Sequence, residues 1–486
     1  LKEELECVDE GYIFRRTVTN CTDKDANLFG LTVTLSGLNL GGNTLDDYYY
    51  ANENGILFST LTLPIDYDRE NQDEDINAKL GVKVDSRWAD PEIINAKILD
   101  SSYQPYPAIL ISNYEKKCGL VCGTLSQDYF YNNYQLSHDG ENIVVKINSQ
   151  FKDTEYRIVK PGEELEDIIF IGSTNTADDF NHLFDGYNAV LRRFLTNNVG
   201  SSEISRHTLI WDSWNDGIFR NISEEMLLNE ARAIKKLMPS VEWFQVDDGY
   251  SEFCSSGLSL SAHGLGVYYE DNHGIDREKF PGGLSSYTKK VKELGLRPAI
   301  WIGAACPNDT QIVKEKDEWF LKYSFRMDWA RPLDISIPEV GKFMKDSFEW
   351  FVKEGFEGVK HDFWSYTFED SHDLLSFKEK SGYEHRAWWS KTMRNALGND
   401  AYIGTACDLS MGNPFLGKYF NNYRFGLDVG GGVWNEVLTT FFWGACVLST
   451  HCGDLYVPNC DSVGFLPGLN DTDYMFVVTF AIISRS

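Results

Sequence analysis

The most informative part of this sequence is Gly358-Val-Lys-His-Asp-Phe-Trp364, which has the pattern of a buried strand that ends by presenting Lys360 and Asp362. A second strand-like run further along the chain, Tyr423-Arg-Phe-Gly-Leu-Asp428, ends in another aspartate. The carboxyl ends of parallel strands meet at one edge of a sheet, so these two aspartates are expected on opposite sides of one small ligand. Two carboxylates in that arrangement can make and break a glycosidic bond.

Strand and helix patterns alternate around this stretch from about residue 206 onward. The strand-like runs are Thr208–Trp211, Val241–Val246, Arg297–Ile302, Gly358–Lys360, Ala401–Thr405, Tyr423–Phe425 and Ala445–Ser449, with helical patterns between several of them, as at Glu224–Leu237, Ser285–Leu294 and Pro338–Lys353. Such alternation predicts a parallel sheet, and this many units favour a (β/α)8 TIM barrel over an open doubly wound sheet. The eighth strand is not evident, since Asp473–Ile483 is apolar enough to be that strand or the helix before it.

The chain before this region has the alternating pattern of β-structure. Runs such as Tyr12–Thr19, Ala108–Ser112 and Ile143–Ile147 lie between turn signals and predict an antiparallel sandwich. A helical pattern then begins at Thr176 and leads into a polar linker. We therefore expect an N-terminal β-sandwich over residues 1–175, a linker helix over 176–202 and a catalytic (β/α)8 barrel over 203–486, whose C-terminal end the sequence leaves open.

Composition excludes several classes of partner. The 486 residues carry a net charge of −28, and both nucleic acid and an anionic membrane surface repel such a polyanion. No run of about 18 uncharged apolar residues is present, so no membrane span is expected. A neutral ligand remains compatible, and some of the 13 tryptophans suit a sugar site, although most are expected to fill cores. The ten cysteines suit reduced core thiols, which favours the cytoplasm slightly.

Polar residues follow the predicted strands one after another. They are Asp212, Trp214, Asp247, Asp248, Trp301, Lys360, Asp362, Cys407, Asp408, Arg424 and Asp428. One strand-end aspartate is more often a loop cap, but acids that recur strand after strand indicate a ligand site. A carboxylate cage for a hard metal ion is the competing interpretation. Lys360 and Arg424 argue against it, because a bound cation would repel them, so we expect no metal and no cofactor.

Several runs resemble, in their order, motifs of clan D glycoside hydrolases and of the family 36 α-galactosidases in particular. Phe244-Gln-Val-Asp-Asp-Gly-Tyr250 resembles the family's paired-aspartate motif, Gly355-Phe-Glu-Gly-Val-Lys-His-Asp-Phe363 its nucleophile strand, and Arg424-Phe-Gly-Leu-Asp428 its Arg-x-x-x-Asp acid/base motif. Between them, Phe280–Leu284, Gly295–Trp301, Glu318–Trp319 and Leu333–Ser336 follow the family's order. A β-sandwich before the barrel also fits family 36. The C-terminal β-domain that follows the barrel in the family is not among these residues.

The resemblance implies a role for each matching residue. Asp362 would be the nucleophile and Asp428 the general acid/base of a retaining, exo-acting α-galactosidase. The substrate-binding residues would be Asp247 and Asp248 for the hydroxyls that mark an axial 4-OH sugar, Lys360 and Arg424 for further hydroxyls, and Trp211 and Trp301 as walls for the sugar ring. Lys360 is expected to help keep Asp362 ionised.

The run Cys407-Asp-Leu-Ser-Met-Gly412 departs from the glycine-rich run that is common in the family after the fifth strand. In the family this region meets the 2-substituent of the sugar, so Cys407 and Asp408 are assigned to substrate binding. A carboxylate at Asp408 would hydrogen-bond a 2-hydroxyl and crowd an acetamide, which favours galactose over N-acetylgalactosamine.

Several alternatives remain open at this point. Within the same class, the nearest rivals to an α-galactosidase are an α-N-acetylgalactosaminidase and a galactosyl transferase of the raffinose synthase type, built on the same site. From another class, the chain could be a non-catalytic carbohydrate-binding protein. The expected partner is an oligosaccharide or glycoconjugate with terminal α-galactose, with no nucleic acid and no membrane, and the question of a homo-oligomer stays open.

Overall fold

The computed structural model describes most of the chain. The described residues are 1–44, 47–52, 57–59, 108–113, 115–151, 154–174, 184–195, 209–214, 218, 220–251, 274–303, 305–308, 310–321, 330–362, 375–405, 414–424, 457–459, 461 and 469–484. Three of the predicted site residues, Cys407, Asp408 and Asp428, and the predicted strand Ala445–Ser449 lie outside them. No helix within these ranges is long and apolar enough to cross a membrane.

The N-terminal part folds into strands, as its alternating pattern predicts. The strands are β1 (Lys2–Val8), β2 (Gly11–Thr19), β3 (Ala26–Leu28), β4 (Leu31–Leu38), β5 (Tyr49–Asn52), β6 (Leu57–Ser59), β7 (Ala108–Asn113), β8 (Cys118–Thr124), β9 (Tyr131–His138), β10 (Ile143–Gln150), β11 (Arg157–Val159) and β12 (Glu164–Thr174). Among these described strands, one sheet has the order β1-β2-β12-β8-β7-β5-β6, a second has the order β4-β10-β9, and β11 pairs with β3. Neighbouring strands run antiparallel.

Side chains from the two larger sheets share one apolar core. On β10, Ile143, Val145 and Ile147 are completely buried at alternate positions, because successive residues of a strand point to opposite faces. They pack in one cluster with Ile109 and Ile111 of β7, which belongs to the other sheet. The period of two in the sequence therefore marks the inner face.

A buried ion pair within the first sheet is hydrogen-bonded to a serine of the second sheet. Arg16 on β2 and Asp167 on β12 are paired in register and hydrogen-bonded, and both side chains are almost completely buried. Ser149 on β10 accepts from Arg16 at 2.7 Å and donates to Asp167 at 2.8 Å. Each buried charge thus has a partner of opposite sign. Replacing either residue would leave the other charge buried and unpaired.

Helix α1 (Asp185–Phe194) follows the last N-terminal strand. It lies within the predicted linker helix, whose first residues from Thr176 onward are outside the described ranges. The buried face of α1 includes Tyr187, Val190 and Leu191, and the Tyr187 hydroxyl donates to the carbonyl of Thr124 at 2.8 Å. The helix is therefore packed onto the N-terminal sheet.

A parallel sheet occupies the second half of the chain. In the described residues its strands are β13 (Ile210–Asp212), β14 (Trp243–Val246), β15 (Arg297–Gly303), β18 (Gly358–Asp362), β19 (Tyr402–Thr405), β20 (Asn422–Arg424) and β21 (Val457–Asn459), neighbours in that order. Along the chain between β15 and β18, the short strands β16 (Ala305–Pro307) and β17 (Ala330–Pro332) form a separate antiparallel pair. The first six predicted strands are confirmed to within about two residues. The strand Val457–Asn459 was not predicted.

Among the described residues, the helices that lie between these strands along the chain are α2 (Glu224–Leu237), α3 (Gly283–Glu293), α4 (Gln311–Glu315), α5 (Pro338–Lys353) and α6 (Gly382–Leu397), and α7 (Asp471–Ser484) follows the last strand. Local sequence sets where they begin: the Ser223 hydroxyl caps α2 by accepting the Met226 N–H, and Pro338 fits the first turn of α5. The segment that the sequence left as strand or helix is helix α7.

The two faces of the parallel sheet differ. One face carries Phe244, Ile300 and Val359, which pack in the large core together with side chains of the connecting helices. On the other face Trp243 of β14 and Tyr402 of β19 meet in a small separate cluster, with ring centroids 5.8 Å apart. Two strands lie between β14 and β19, so a flat sheet would hold these residues about 14 Å apart. The sheet is therefore strongly curved around Trp243.

The N-terminal strands are anchored to helix α6. Arg157 on β11 donates from Nε and Nη2 to both carboxylate oxygens of Glu384, at 2.7 and 2.8 Å, and also donates to Glu163. Glu384 is at the same time the third residue of α6 and forms a capping box with Ser381. The Ser381 hydroxyl donates to the carbonyl of Tyr129 at 3.0 Å. These contacts fix α6 against the N-terminal sheets.

Candidate active site

The carboxyl ends of four strands bring polar side chains together on the curved inner face. At the centre, Lys360 Nζ of β18 donates to Asp212 Oδ2 of β13 at 3.2 Å and to Asp247 Oδ2, just after β14, at 2.8 Å. Strands β14 and β15 separate β13 from β18, so only the curvature of the sheet lets one ammonium reach both carboxylates. Of the predicted residues, Asp247 and Lys360 thus lie in direct contact.

The loop after β14 holds the Asp247 carboxyl rigidly. The Asp247 backbone N–H donates to Ser213 Oγ at 2.9 Å, and its Oδ1 accepts the backbone N–H of Asp248 at 2.8 Å. Asp247 is only 2% exposed. A carboxyl held in this way is preorganised to meet a ligand from one direction.

Electrostatics in the cluster follow from one ammonium among several acids. Burial, followed by the neighbouring Asp212 carboxylate, raises the pKa of Asp247 well above its ordinary value, against the opposing effect of Lys360. Burial alone would lower the pKa of Lys360, but the carboxylates of Asp212, Asp247, Asp362 and Asp461 outweigh it and raise that pKa well above its ordinary value. Lys360 is therefore a permanent cation, and Asp247 holds its proton to higher pH than an exposed aspartate.

Asp362 ends β18 on the same face as Lys360. Its Oδ2 accepts a hydrogen bond from the indole Nε1–H of Trp301 at 2.8 Å. The two residues come from adjacent strands, since Gly303 of β15 is in register with Asp362. The direct hydrogen bonds of Lys360 go instead to Asp212 and Asp247, so its influence on Asp362 is through charge at longer range.

A second polar group surrounds Asp248. Its Oδ2 accepts from Arg220 Nε at 3.2 Å, and the Arg220 guanidinium lies over the Trp214 ring, 6.0 Å from the centroid. Lys279 Nζ donates to the carbonyls of Arg220 and Gly249 at 2.9 and 2.8 Å, which ties the loop after β13 to the loop after β14. Asp248 and Trp214 therefore belong to one rim of the site.

Arg424 at the end of β20 is paired with an acid that the sequence did not indicate. Its Nη1 donates to Asp461 Oδ1 at 2.6 Å, and both side chains are nearly buried. Asp461 follows β21 and has a positive φ of 78°, with its N–H donating to Asn459 Oδ1. It acts on Lys360 electrostatically, so this pair faces the same cluster.

Trp211 lies on the other side of the sheet. Its neighbour Asp212 reaches Lys360, and successive strand residues point to opposite faces, so the Trp211 ring faces the large core. There it stacks on Phe244 with ring centroids 4.3 Å apart. The structure does not bring Trp211 together with the polar cluster. Trp214, which the sequence marked as a strand-end residue without assigning it a role, lies at the rim instead.

Gln245 is a further contributing residue, which the sequence analysis missed. Gln245 lies two residues before Asp247, and its side-chain amide donates to Asp212 Oδ2. The Trp214 backbone N–H donates to Asp212 Oδ1 at 2.8 Å. The alternation of β14 marks Gln245 and Asp247 as facing the same side, and this signal could have identified Gln245.

On the helix-facing side of β18, His361 is completely buried. Its Nε2 accepts from Trp389 Nε1 of α6 at 2.9 Å, so the neutral ring carries its proton on Nδ1. Burial lowers the pKa of His361 to about 3. His361 therefore joins β18 to α6, while Lys360 and Asp362 on the same strand face the polar cluster.

Comparison with known sequences gives one distant relative. No family model matches this chain. An α-galactosidase of Escherichia coli is 24% identical over 188 residues, which are 37% of this chain and 24% of that protein. The chain thus matches about a quarter of the length of this curated relative.

Solved structures are similar over nearly the whole chain. TtGalA, an α-galactosidase from Thermus thermophilus in complex with p-nitrophenyl α-D-galactopyranoside, has a TM-score of 0.58 at 14% identity, covering 100% of this chain and 89% of that one. A variant of the family 36 α-galactosidase AgaA from Geobacillus stearothermophilus in complex with stachyose has a TM-score of 0.57 at 13% identity, covering 97% and 66%. An α-galactosidase from Lactobacillus brevis has a TM-score of 0.56 at 12% identity, covering 98% and 64%. The chain has the sheet-rich, multidomain fold of the family 36 α-galactosidases, so the resemblance inferred from the motifs is confirmed at the level of the fold.

Proposed function

We propose that this chain is a retaining, exo-acting α-galactosidase, which releases terminal α-linked galactose from oligosaccharides or glycoconjugates by double displacement. The observation that carries the proposal is the Lys360 ammonium, bound to two carboxylates and on the same strand as Asp362, which Trp301 holds in place. A site that alternates cationic donors with anionic acceptors suits the hydroxyl groups of a neutral sugar. The fold shared with TtGalA and AgaA, which were solved with α-galactosides, supports the choice of substrate.

The same proposal includes the finer architecture. We infer that the parallel strands belong to a (β/α)8 barrel over residues 203–486, preceded by a β-sandwich over 1–175 and a linker helix over 176–202. The contact of Trp243 with Tyr402 across two intervening strands supports a closed barrel. The apolar core shared by β7 and β10 supports a sandwich.

In the proposed mechanism Asp362 is the nucleophile and Asp428 the general acid/base. The Asp362 carboxylate attacks the anomeric carbon while Asp428 gives its proton to the leaving glycosidic oxygen. Asp428 then takes a proton from water, and the resulting hydroxide displaces Asp362 and restores it. This chemistry requires the two carboxyl groups to be about 5–5.5 Å apart. The indole of Trp301 would hold the attacking carboxylate in line throughout.

The remaining residues would bind the sugar. Asp247, Asp248, Lys360 and Arg424 would contact hydroxyl groups, and Cys407 with Asp408 would meet the 2-hydroxyl. Trp301 would form one wall of the pocket. For the wall contributed by the first strand we propose Trp214 in place of Trp211, since the Trp214 ring lies beside the Arg220–Asp248 pair.

Hydrolysis of aryl α-galactosides tests the function. Purified protein should cleave p-nitrophenyl α-galactoside and release galactose first as the α-anomer, which NMR detects. Cleavage of the N-acetyl analogue at an equal or higher rate would identify an α-N-acetylgalactosaminidase. Transfer of galactose to added sucrose would identify a transferase. If the protein binds galactosides but turns over no member of a broad panel of α-glycosides, it is a non-catalytic carbohydrate-binding protein.

A further inference from the structure

Asp212 stands at the junction of three strands in the polar cluster. Its Oδ2 accepts from Lys360 of β18 and from the Gln245 amide of β14, and its Oδ1 accepts the Trp214 N–H. Asp212 itself lies on β13. One carboxylate thus braces the first, second and fourth strands of the proposed barrel at the level of the site.

The ammonium of Lys360 has three N–H donors. Among the described residues, one is directed to Asp212 at 3.2 Å and another to Asp247 at 2.8 Å. The two acceptors lie at different points of the sheet, Asp212 on β13 and Asp247 just after β14, so they fix the direction of the C–N bond and with it the direction of the third N–H. A lysine with one acceptor could rotate and would present its remaining donors to the ligand in many directions.

We propose that Asp212 is a positioning residue for sugar binding, which holds Lys360 so that one N–H remains for a sugar hydroxyl and keeps a second negative charge beside Asp247. This inference rests on the proposed function, because it concerns how the same site binds galactose. Asp212 acts through its neighbours and takes no part in bond making.

The protonation of Asp247 depends on every ionisable group around Lys360 and Asp247. Within the described part of the chain these groups are Asp212 on β13, Asp248 with its partner Arg220, Asp362 on β18, and Arg424 on β20 with its partner Asp461. Burial and the Asp212 carboxylate both favour the protonated form of Asp247. Replacing Asp212 by a neutral residue removes a repelling charge, so Asp247 should then ionise at lower pH.

The test compares Asp212→Asn, which keeps shape and removes charge, with Asp212→Glu, which keeps charge and changes reach. Calorimetric titration with galactose across the pH range should show affinity reduced by about tenfold or more in both variants, since a charge-assisted contact is disturbed. In Asp212→Asn the acid limb of the affinity profile should move to lower pH. In Asp212→Glu it should stay where it is in the wild type.

A matched control is Asp334→Asn. Asp334 is also a buried aspartate, but it caps a turn by accepting from Ser336 and Ser376. This variant is expected to lose stability and to keep the wild-type pH profile of galactose binding. If Asp212→Asn behaves in the same way, Asp212 is a structural brace and the proposal is wrong.

A readout without ligand separates this inference from the proposed function. With aspartate carboxyls labelled with carbon-13 and the Asp247 signal identified in Asp247→Asn, the midpoint of the Asp247 titration should fall in Asp212→Asn. An unchanged midpoint overturns the inference even if the wild type hydrolyses galactosides. A shifted midpoint in a protein that binds no galactose would sustain the electrostatic role and overturn the proposed function instead.

Discussion

The indole N–H of Trp301 donates to Oδ2 of Asp362 at 2.8 Å, across two neighbouring parallel strands. A hydrogen bond from a neutral donor to a charged acceptor is stronger than one between neutral groups, and it is directional. Trp301 therefore combines two properties that a sugar site needs, a flat apolar face and a fixed donor to the proposed nucleophile.

Trp301→Phe separates these two properties, because phenylalanine keeps the ring face and removes the N–H. We expect kcat on p-nitrophenyl α-galactoside to fall roughly 10- to 100-fold, which corresponds to about 1.5–3 kcal/mol for a hydrogen bond to a charged group, with KM changed little. Trp350→Phe on α5 is the control and should leave kcat unchanged. A selective rise in KM would assign Trp301 to sugar binding alone.

Asp362→Gly tests the nucleophile directly. Without the carboxylate no covalent intermediate can form, so hydrolysis should fall by several orders of magnitude. The small cavity left behind can admit azide, which should restore turnover of an aryl galactoside with a good leaving group and give β-galactosyl azide, detectable by mass spectrometry. Sodium chloride at the same concentration serves as the control. A folded variant that hydrolyses at the wild-type rate would remove Asp362 from the mechanism.

The buried His361 makes a pH-dependent contribution to stability. The pKa of this ring is about 3 in the folded protein, against about 6.5 in an unfolded chain. The unfolded state therefore binds a proton first as pH falls, so the contribution is complete above pH 6.5 and is lost as pH falls toward 3, by about 1.4 kcal/mol per pH unit.

His361→Gln tests this, because the amide oxygen of glutamine can still accept the Trp389 N–H. Urea denaturation at several pH values between 4 and 7 should show that the free energy of unfolding falls less steeply with acidification in the variant than in the wild type. The difference in slope should correspond to about one fewer proton taken up on unfolding. Equal slopes in the two proteins would contradict the assignment of a neutral His361.

The Arg157–Glu384 pair is predicted to contribute more to stability than the more exposed Arg15–Glu166 pair. The Arg157 side chain is 3% exposed, whereas Arg15 and its partner Glu166 are 29% and 46% exposed. Arg157→Ala should reduce the free energy of unfolding by about 3–5 kcal/mol, since Glu384 is left without its cation. Arg15→Ala, the matched control, should cost about 0–1 kcal/mol. Similar losses from both variants would mean that burial does not distinguish them.

Strand-end reasoning from the sequence located Asp247, Lys360 and Asp362, because each lies within a few residues of a strand with a clear apolar pattern. The same reasoning named Asp212, whereas Trp211 was assigned through the family resemblance. The two residues are adjacent and must face opposite sides, and the contact of Asp212 with Lys360 places Asp212 on the side of the polar cluster. Asp461 follows a strand of three residues, too short to show a period. The pairing of Arg157 with Glu384 joins residues that are far apart in sequence, and no local pattern predicts it.

Glu384 belongs to two structures at once, since it closes the capping box of α6 and receives both donors of Arg157. Dissecting the protein at the proposed linker would therefore disturb helix α6. A fragment that begins at residue 203 would carry an acid whose counter-ion was left on the discarded piece, at the first turn of the helix that supports His361. Any module grafted in place of the N-terminal strands would have to bring its own arginine to that position.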